Sequence, residues 1–179
     1  MTTTTSNSAG TAWDVYESPL GPLTIQVGQR GVFDLSFPRR AQQLDPDSRD
    51  EAALADVTSQ LDEYFAGERR AFDLELDLRG TELQLDVWRG LLEIPYGTTL
   101  SYSELARRAG RPDVVRAVGA AVGQTPVPIV VPCHRVIGKD GTLTGYGGGL
   151  HRKQALLEFE HLTAGVAPAA WAFRQLTLL

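Results

Sequence analysis

The one stretch of this sequence that pairs a nucleophile with an activating neighbour is Cys133-His134-Arg135. The thiolate is the reactive form of cysteine, and nearby positive charge or a general base makes it available near neutral pH. Adjacency alone does not give the geometry. Neighbouring side chains on extended backbone point to opposite sides, so His134 needs a local turn, or a bridging water, to take the proton from Cys133. A carboxylate behind the histidine would orient the imidazole and stabilise its charged form. Without such partners an isolated cysteine is usually an inert buried hydrophobe.

Other chemistries find less support. Residues 1–132 contain neither cysteine nor histidine, so a zinc site, with its three or four ligands, would have to draw on carboxylates. The flanking signature and remote histidine of a papain-like peptidase are absent. No phosphate-binding GxxxxGK[ST] loop or dinucleotide glycine pattern occurs.

The elements that must position Cys133 can be read along the chain. Its 179 residues, 42% hydrophobic and 22% charged, suit one domain or two small ones sharing an interface. No apolar run approaches the roughly 20 residues of a membrane helix. The opening MTTTTSNSAG lacks the basic and apolar regions of a signal peptide and reads as a disordered tail over 1–10. Trp13 to Phe37 reads as short strands with turns at Pro-Leu-Gly-Pro and at Gly28–Gly31. Residues 51–66 place Leu54, Val57, Leu61, Tyr64 and Phe65 on one helical face. FDLELDL at 72–78 alternates with period two and predicts a strand with one buried face.

After Arg79-Gly80 the pattern becomes helical. Thr81 is a candidate cap for a helix carrying Leu83, Val87, Leu91 and Ile94. Ser101 and Glu104 have capping-box spacing. That second helix closes at Gly110, and Pro112 opens a third that runs to Gly123. Two short helices around a glycine form a helix-turn-helix pattern, although many helical hairpins bind nothing. An apolar, proline-bracketed run leads to Cys133, and 139–149 reads as a glycine-rich, wing-like loop. A last helix is expected over 151–162 with Leu156, Leu157 and Phe159 inward. The tail from 164 to 179, with Trp171, Phe173 and Leu176, is expected to pack on the body.

Charge distribution bears on the partner. The net charge of −5 and pI near 5.2 argue at first sight against nucleic acid. By segment, however, residues 1–97 carry −9 and residues 98–153 carry +5. The basic segment also holds Cys133, His134 and His151. Such asymmetry says more about partners than the total, the plain alternative being a solvated basic face. The lone cysteine cannot form an internal disulfide, which fits a reducing cytoplasm.

Residues 94–160 resemble the C-terminal domain of O6-alkylguanine-DNA alkyltransferases (methylated-DNA–protein-cysteine methyltransferases). The likeness rests on IPYGTTLSYSELA (94–106), RAVGAAVG (116–123), PVPIVVPCHRVIG (126–138) and GYGGGLHRKQALLEFE (145–160). Residues 13–79 resemble the family's smaller N-terminal domain more loosely. The resemblance implies an α/β (α+β) protein: a ribonuclease H-like α/β domain over 11–79, then a helical winged helix-turn-helix domain over 80–163 that carries the cysteine.

It also implies a reaction and its residues. Cys133 would irreversibly accept an alkyl group from O6 of guanine, and O4 of thymine, in double-stranded DNA. His134 would act as its base through a water, oriented by Glu160. Tyr102 would donate a proton to guanine and help turn the 3′ phosphate. Arg116 would fill the gap left by the flipped nucleotide, with Ala117, Gly119, Ala120, Ala121 and Arg135 against DNA. Tyr146, Gly147, Gly148 and Val136 would wall the alkyl pocket, with Thr125 and Lys153 in support. No cofactor, metal, membrane or obligate protein partner is implied. The protein would be a monomer, and cooperative binding on DNA is left open.

Two positions depart from the family pattern. Thr125 stands where asparagine is usual and offers one hydroxyl in place of an amide's donor and acceptor. Gln84 stands where an aromatic is common, which reads as minor repacking. Two rival readings remain. One is a non-catalytic reader of alkylated DNA, whose known kin lack the cysteine; the other is a transcription regulator with Cys133 as sensor.

Overall fold

The computed structural model describes residues 10–38 and 44–166. The tails expected over 1–10 and 164–179 lie almost wholly outside the described residues, as do Trp171, Phe173 and Leu176. In the N-terminal part, β1 (Ala12–Ser18), β2 (Gly21–Gly28) and β3 (Gly31–Ser36) form an antiparallel sheet in sequence order. Register runs from Ala12 opposite Val27 to Ser18 opposite Gly21, and a bulge at Gln26/Val27 shifts the β2–β3 ladder. Leu23, Ile25, Val32 and Leu35 leave the sheet on its covered face and are buried. A 3₁₀ turn (Ala52–Leu54) leads into α1 (Ala55–Phe65), which adds Leu54, Val57, Leu61 and Tyr64 to the same core.

FDLELDL does not form the expected strand. It runs extended past β3 with a single parallel bridge, Leu76 to Val32. Two hydrogen bonds, Val32 N–H to the Glu75 carbonyl (2.8 Å) and Asp77 N–H to the Val32 carbonyl (2.9 Å), make that contact. Further along, the Gln60 side-chain amide takes both backbone groups of Asp73, at 2.8 Å each. A helix side chain thus replaces the strand partner that a longer ladder would need. The period-two pattern survives as alternating burial of Phe72, Leu74 and Leu76 against exposed Asp73 and Glu75.

The C-terminal part is helical. α2 (Glu82–Leu92) opens on a Thr81 capping box closed by Gln84, so Gln84 has a definite task rather than filling space. Its side-chain nitrogen also donates to Gln124 Oε1 at 2.7 Å. β4 (Leu100–Ser101) passes directly into α3 (Tyr102–Arg108), whose Ser101–Glu104 capping box forms as the spacing predicts. A 3₁₀ turn at Pro112–Val114 precedes α4 (Val115–Gly123). Trp88 Nε1 of α2 donates to the Ala121 carbonyl of α4 at 2.9 Å. β5 (Val136–Ile137) pairs in parallel with β4, and α5 (Leu150–Ala164) closes the fold.

Loop 139–149 is a series of turns closed by Gly138 N–H to the Thr142 carbonyl at 2.8 Å; no strand pair builds the expected wing there. One hydrophobic cluster runs from Leu23 of β2 through Trp88 and Val118 to Leu156 of α5, so the two halves share a core. Among the described residues, no helix is long and apolar enough to cross a membrane.

Gly31 shows how tightly 72–78 is laid on the sheet. Its φ is +116°, and a Cβ there would lie 2.1 Å from the Glu75 carbonyl oxygen. Gly31→Ala combines left-handed strain with a backbone clash, and should cost about 2–5 kcal/mol in urea denaturation. A loss below about 0.5 kcal/mol would contradict this packing.

Candidate active site

The turn that His134 requires is present. Cys133–Arg135 is a single 3₁₀ turn, entered through an irregular buried segment in which Ile129 has φ +77°. Left-handed backbone is costly for a β-branched residue and persists only where its surroundings enforce it. Here Val131 N–H reaches back to the Val127 carbonyl (2.9 Å), and Cys133 N–H to the Val131 carbonyl (2.7 Å). These contacts swing Cys133 and His134 away from the opposed directions of extended chain.

His134 is fully buried, and its Nε2 lies 2.8 Å from Glu160 Oε1 on α5. Glu160 is fully buried as well. It accepts from Tyr64 Oη (2.8 Å), from Arg135 through Nε (2.8 Å) and NH2 (2.9 Å), and from Gly97 N–H (3.2 Å). Burial alone would raise its carboxyl, but His134 and Arg135 outweigh it and hold the group well below the usual carboxylate range. An ionised Glu160 can only accept, so His134 donates its Nε2–H. That tautomer leaves Nδ1 with a lone pair, and Nδ1 has no hydrogen-bond partner among the described residues. Burial lowers the pKa of His134 against the pull of Glu160, so the ring is a neutral base at rest.

Arg135 is the clearest correction to the expected site. Rather than facing DNA it is 6% exposed, forked onto Glu160, with NH1 on the Ile94 carbonyl at 2.6 Å. A guanidinium can neutralise a buried carboxylate only from within the same enclosure, and that demand turns it inward. Val136 is likewise not among the residues that line the cavity at Cys133. It is fully buried in β5, and its carbonyl accepts from Lys153 Nζ at 2.5 Å.

Cys133 faces a cavity of about 320 Å³ also lined by Thr125, Tyr146, Gly147 and Gly148. Burial pushes its thiol up to about 11; Thr125 and the Lys153 ammonium work against that rise. The Thr125 hydroxyl donates to the Val122 carbonyl at 2.8 Å, and its closeness to the sulfur lowers the thiol's pKa. Lys153 is fully buried and also donates to the Thr144 carbonyl at 2.8 Å. Burial pulls it down to about 8, with Cys133 opposing.

Tyr102 opens α3 and donates to the same Thr144 carbonyl at 3.2 Å, its ring centroid 5.8 Å from Lys153 Nζ. Its side chain packs beside Gly119, where a Cβ would lie 3.6 Å from Tyr102 Cδ1. The Tyr146 hydroxyl is buried without a hydrogen-bond partner among the described residues. Arg116 and Ala120 lie on the exposed face of α4, with Ala117 and Gly119 half-buried beside them. Among the described residues, no three metal-ligating side chains gather.

Sequence reasoning missed Tyr64, Gly97 and the inward role of Arg135. A tyrosine within an otherwise apolar helical stripe was the available signal for Tyr64, since a buried hydroxyl needs a partner.

Two buried groups tie stability to acid. The carboxyl of Glu160 is depressed, so its contribution is complete above its ordinary 4.5 and is lost as pH falls below that value. The imidazole of His134 is also depressed, so the unfolded chain binds a proton before the folded one, and stability declines as pH drops through 6.5. Urea midpoints should therefore fall in two stages from a plateau near pH 7. Glu160→Gln should shrink the lower stage, leaving the part that the likewise depressed Asp77 and Glu104 supply, and cost about 3–5 kcal/mol at pH 7, because it strands Arg135. A pH-independent midpoint would contradict both assignments.

Both parts of the chain match known protein families. Residues 12–78 match the family described as 6-O-methylguanine DNA methyltransferase, ribonuclease-like domain, and residues 82–162 match its DNA binding domain. A methylated-DNA–protein-cysteine methyltransferase of Mycobacterium tuberculosis is 52% identical over 149 residues, covering 80% of this chain and 88% of that protein. One from Methanosarcina acetivorans is 44% identical over 149 residues, covering 82% and 96%. The crystal structure of Mycobacterium tuberculosis OGT in complex with DNA superposes with a TM-score of 0.78 at 48% identity, covering 88% of this chain and 96% of that one. With both of its parts matched in order, the chain belongs to the 6-O-methylguanine DNA methyltransferase family.

Proposed function

We propose that this protein repairs DNA by moving the alkyl group of O6-alkylguanine, and of O4-alkylthymine, onto Cys133, once per molecule. The observation that carries the reading is the chain from the cavity-facing thiol of Cys133, through His134 with its unpartnered Nδ1, to the ionised Glu160. The sulfur attacks the sp³ carbon of the adduct, the C–O bond breaks, and a thioether forms. The thiol proton passes through a water to His134 Nδ1. Guanine leaves more easily when a donor hydrogen-bonds or protonates it, and the Tyr102 hydroxyl takes that task from the start of α3. The thioether is not cleaved by water, so no turnover follows. A reducing cytoplasm suits a reaction that needs Cys133 as a free thiol.

O6 lies inside the base stack, so the nucleotide must be flipped out at a cost of a few kcal/mol. The exposed side chain of Arg116, on a face of α4 otherwise made of Ala117, Gly119 and Ala120, fits the role of filling the gap from the minor-groove side. Small residues there let the helix approach closely.

Intact-protein mass spectrometry after incubation with duplex containing O6-methylguanine should show one added CH2 unit per chain, absent in Cys133→Ser. Tight binding without that gain would replace this reading with a non-catalytic reader of alkylated DNA. Arg116→Ala should slow repair in duplex at least ~10-fold more than reaction with free O6-benzylguanine, the counterpart of about 1.4 kcal/mol of flipping cost. Equal losses on both substrates would remove the flipping role.

A further inference from the structure

The cavity facing Cys133 belongs to both halves of the molecule. Its lining includes the end of β3 and the residue after it, Asp34 to Phe37. The Leu35 N–H donates to the Pro126 carbonyl at 2.9 Å, fixing β3 to the segment that carries Thr125. Phe37 is 5% exposed. The Arg152 guanidinium lies 4.2 Å from the centroid of its ring, and that arginine donates to the Leu20 carbonyl (2.9 Å) and to the Gly148 carbonyl (2.7 Å). One side chain therefore clips the β1–β2 turn, the Phe37 ring and the pocket loop together.

Gly148 shows how close that wall stands. A Cβ there would lie 2.7 Å from Phe37 Cδ2 and 2.8 Å from Tyr146 Cε1. Its backbone is thus sandwiched between a ring of the N-terminal half and a ring of the C-terminal half. Contact with two rings, rather than left-handed backbone, is what excludes a side chain at this position.

We propose that Phe37 determines specificity in the alkyl transfer: its ring ends the alkyl pocket, so the largest group Cys133 can accept is set from the N-terminal half. The inference rests on the reading that Cys133 is the alkyl acceptor. A transferred methyl leaves the ring untouched, whereas a longer or aromatic group extends toward it. Removing or enlarging the ring then changes rates in proportion to adduct size, because pocket discrimination follows the volume that a pocket admits.

The test uses the full-length chain and single-turnover rates on one duplex sequence carrying O6-methyl-, O6-butyl- or O6-benzylguanine. Phe37→Ala should raise the butyl-to-methyl and benzyl-to-methyl rate ratios by about 10-fold or more. Phe37→Trp should lower both ratios. If all three rates move together in every variant, the ring only holds the halves in place and the proposal falls. Should Phe37→Ala fail to fold, Phe37→Leu and Phe37→Trp keep an apolar group at the position, and the sign of their ratio changes decides. Absence of any alkyl gain on wild-type Cys133 would instead overturn the acceptor reading itself.

Discussion

A full negative charge sealed from solvent is tolerable only where donors surround it, since burying an isolated carboxylate costs several kcal/mol even after relaxation. Glu160 is such a charge, and the molecule is arranged around its neutralisation. Its partners come from α1, from the turn at Gly97, and from the turn that carries the cysteine. None of these elements can drift without stranding a donor or exposing the carboxylate to an incomplete shell. The orientation of α1 over α5 is fixed by the Tyr64–Glu160 bond together with the ring cluster of Tyr64, Phe65, Phe72, Tyr96 and Phe159. That packing also keeps water from the acceptor oxygens.

The same constraint explains where the positive charge of residues 98–153 goes. Arg135 is consumed by Glu160, Lys153 by two backbone carbonyls, and Arg152 by carbonyls on both halves. Arg111 is paired with Asp86 at 2.6 Å and Glu82 at 3.0 Å on α2. The basic segment thus spends about half its cations on holding the fold. Arg107, Arg108, Arg116 and Lys139 are left exposed, a sparse set that suits shallow contact with a few phosphates better than a broad electrostatic grip.

How much of this was legible in the sequence follows from the range of each signal. The capping box at Ser101 and the cap at Thr81 are local signals, and both formed where the sequence put them; that Gln84 closes the Thr81 cap into a box was not read from the sequence. The amphipathic stripe of α1 is equally local. FDLELDL carries a true strand pattern, yet whether it pairs depends on what stands beside it, and Gln60 stood there instead of a ladder. Arg135 looked available for DNA because sequence separation hides Glu160, 25 residues away. Phe37 gave no signal at all, since a pocket shared by two halves has no periodicity in either. The chemistry of Cys133 and His134 was readable because residue type alone limits it; the direction in which each side chain points was not.

The charge balance around Glu160 also bears on why proton and alkyl transfer should occur together. Arg135 and Glu160 already form a neutral pair, so a protonated His134 would add a net positive charge inside the protein. Burial disfavours that charge, as the lowered pKa of His134 reflects. In the proposed reaction the imidazolium is therefore tolerable only while the Cys133 thiolate balances it nearby. Burial equally disfavours the thiolate, whose thiol stands near 11 in the resting protein. Each ion makes the other affordable, and neither persists alone at rest. Once sulfur holds the alkyl group its charge is gone, and the proton on His134 loses its counter-ion. It must then leave toward solvent or the departing base. A site built this way keeps its nucleophile quiescent as a thiol until an adduct is in reach, which suits a protein that can react only once.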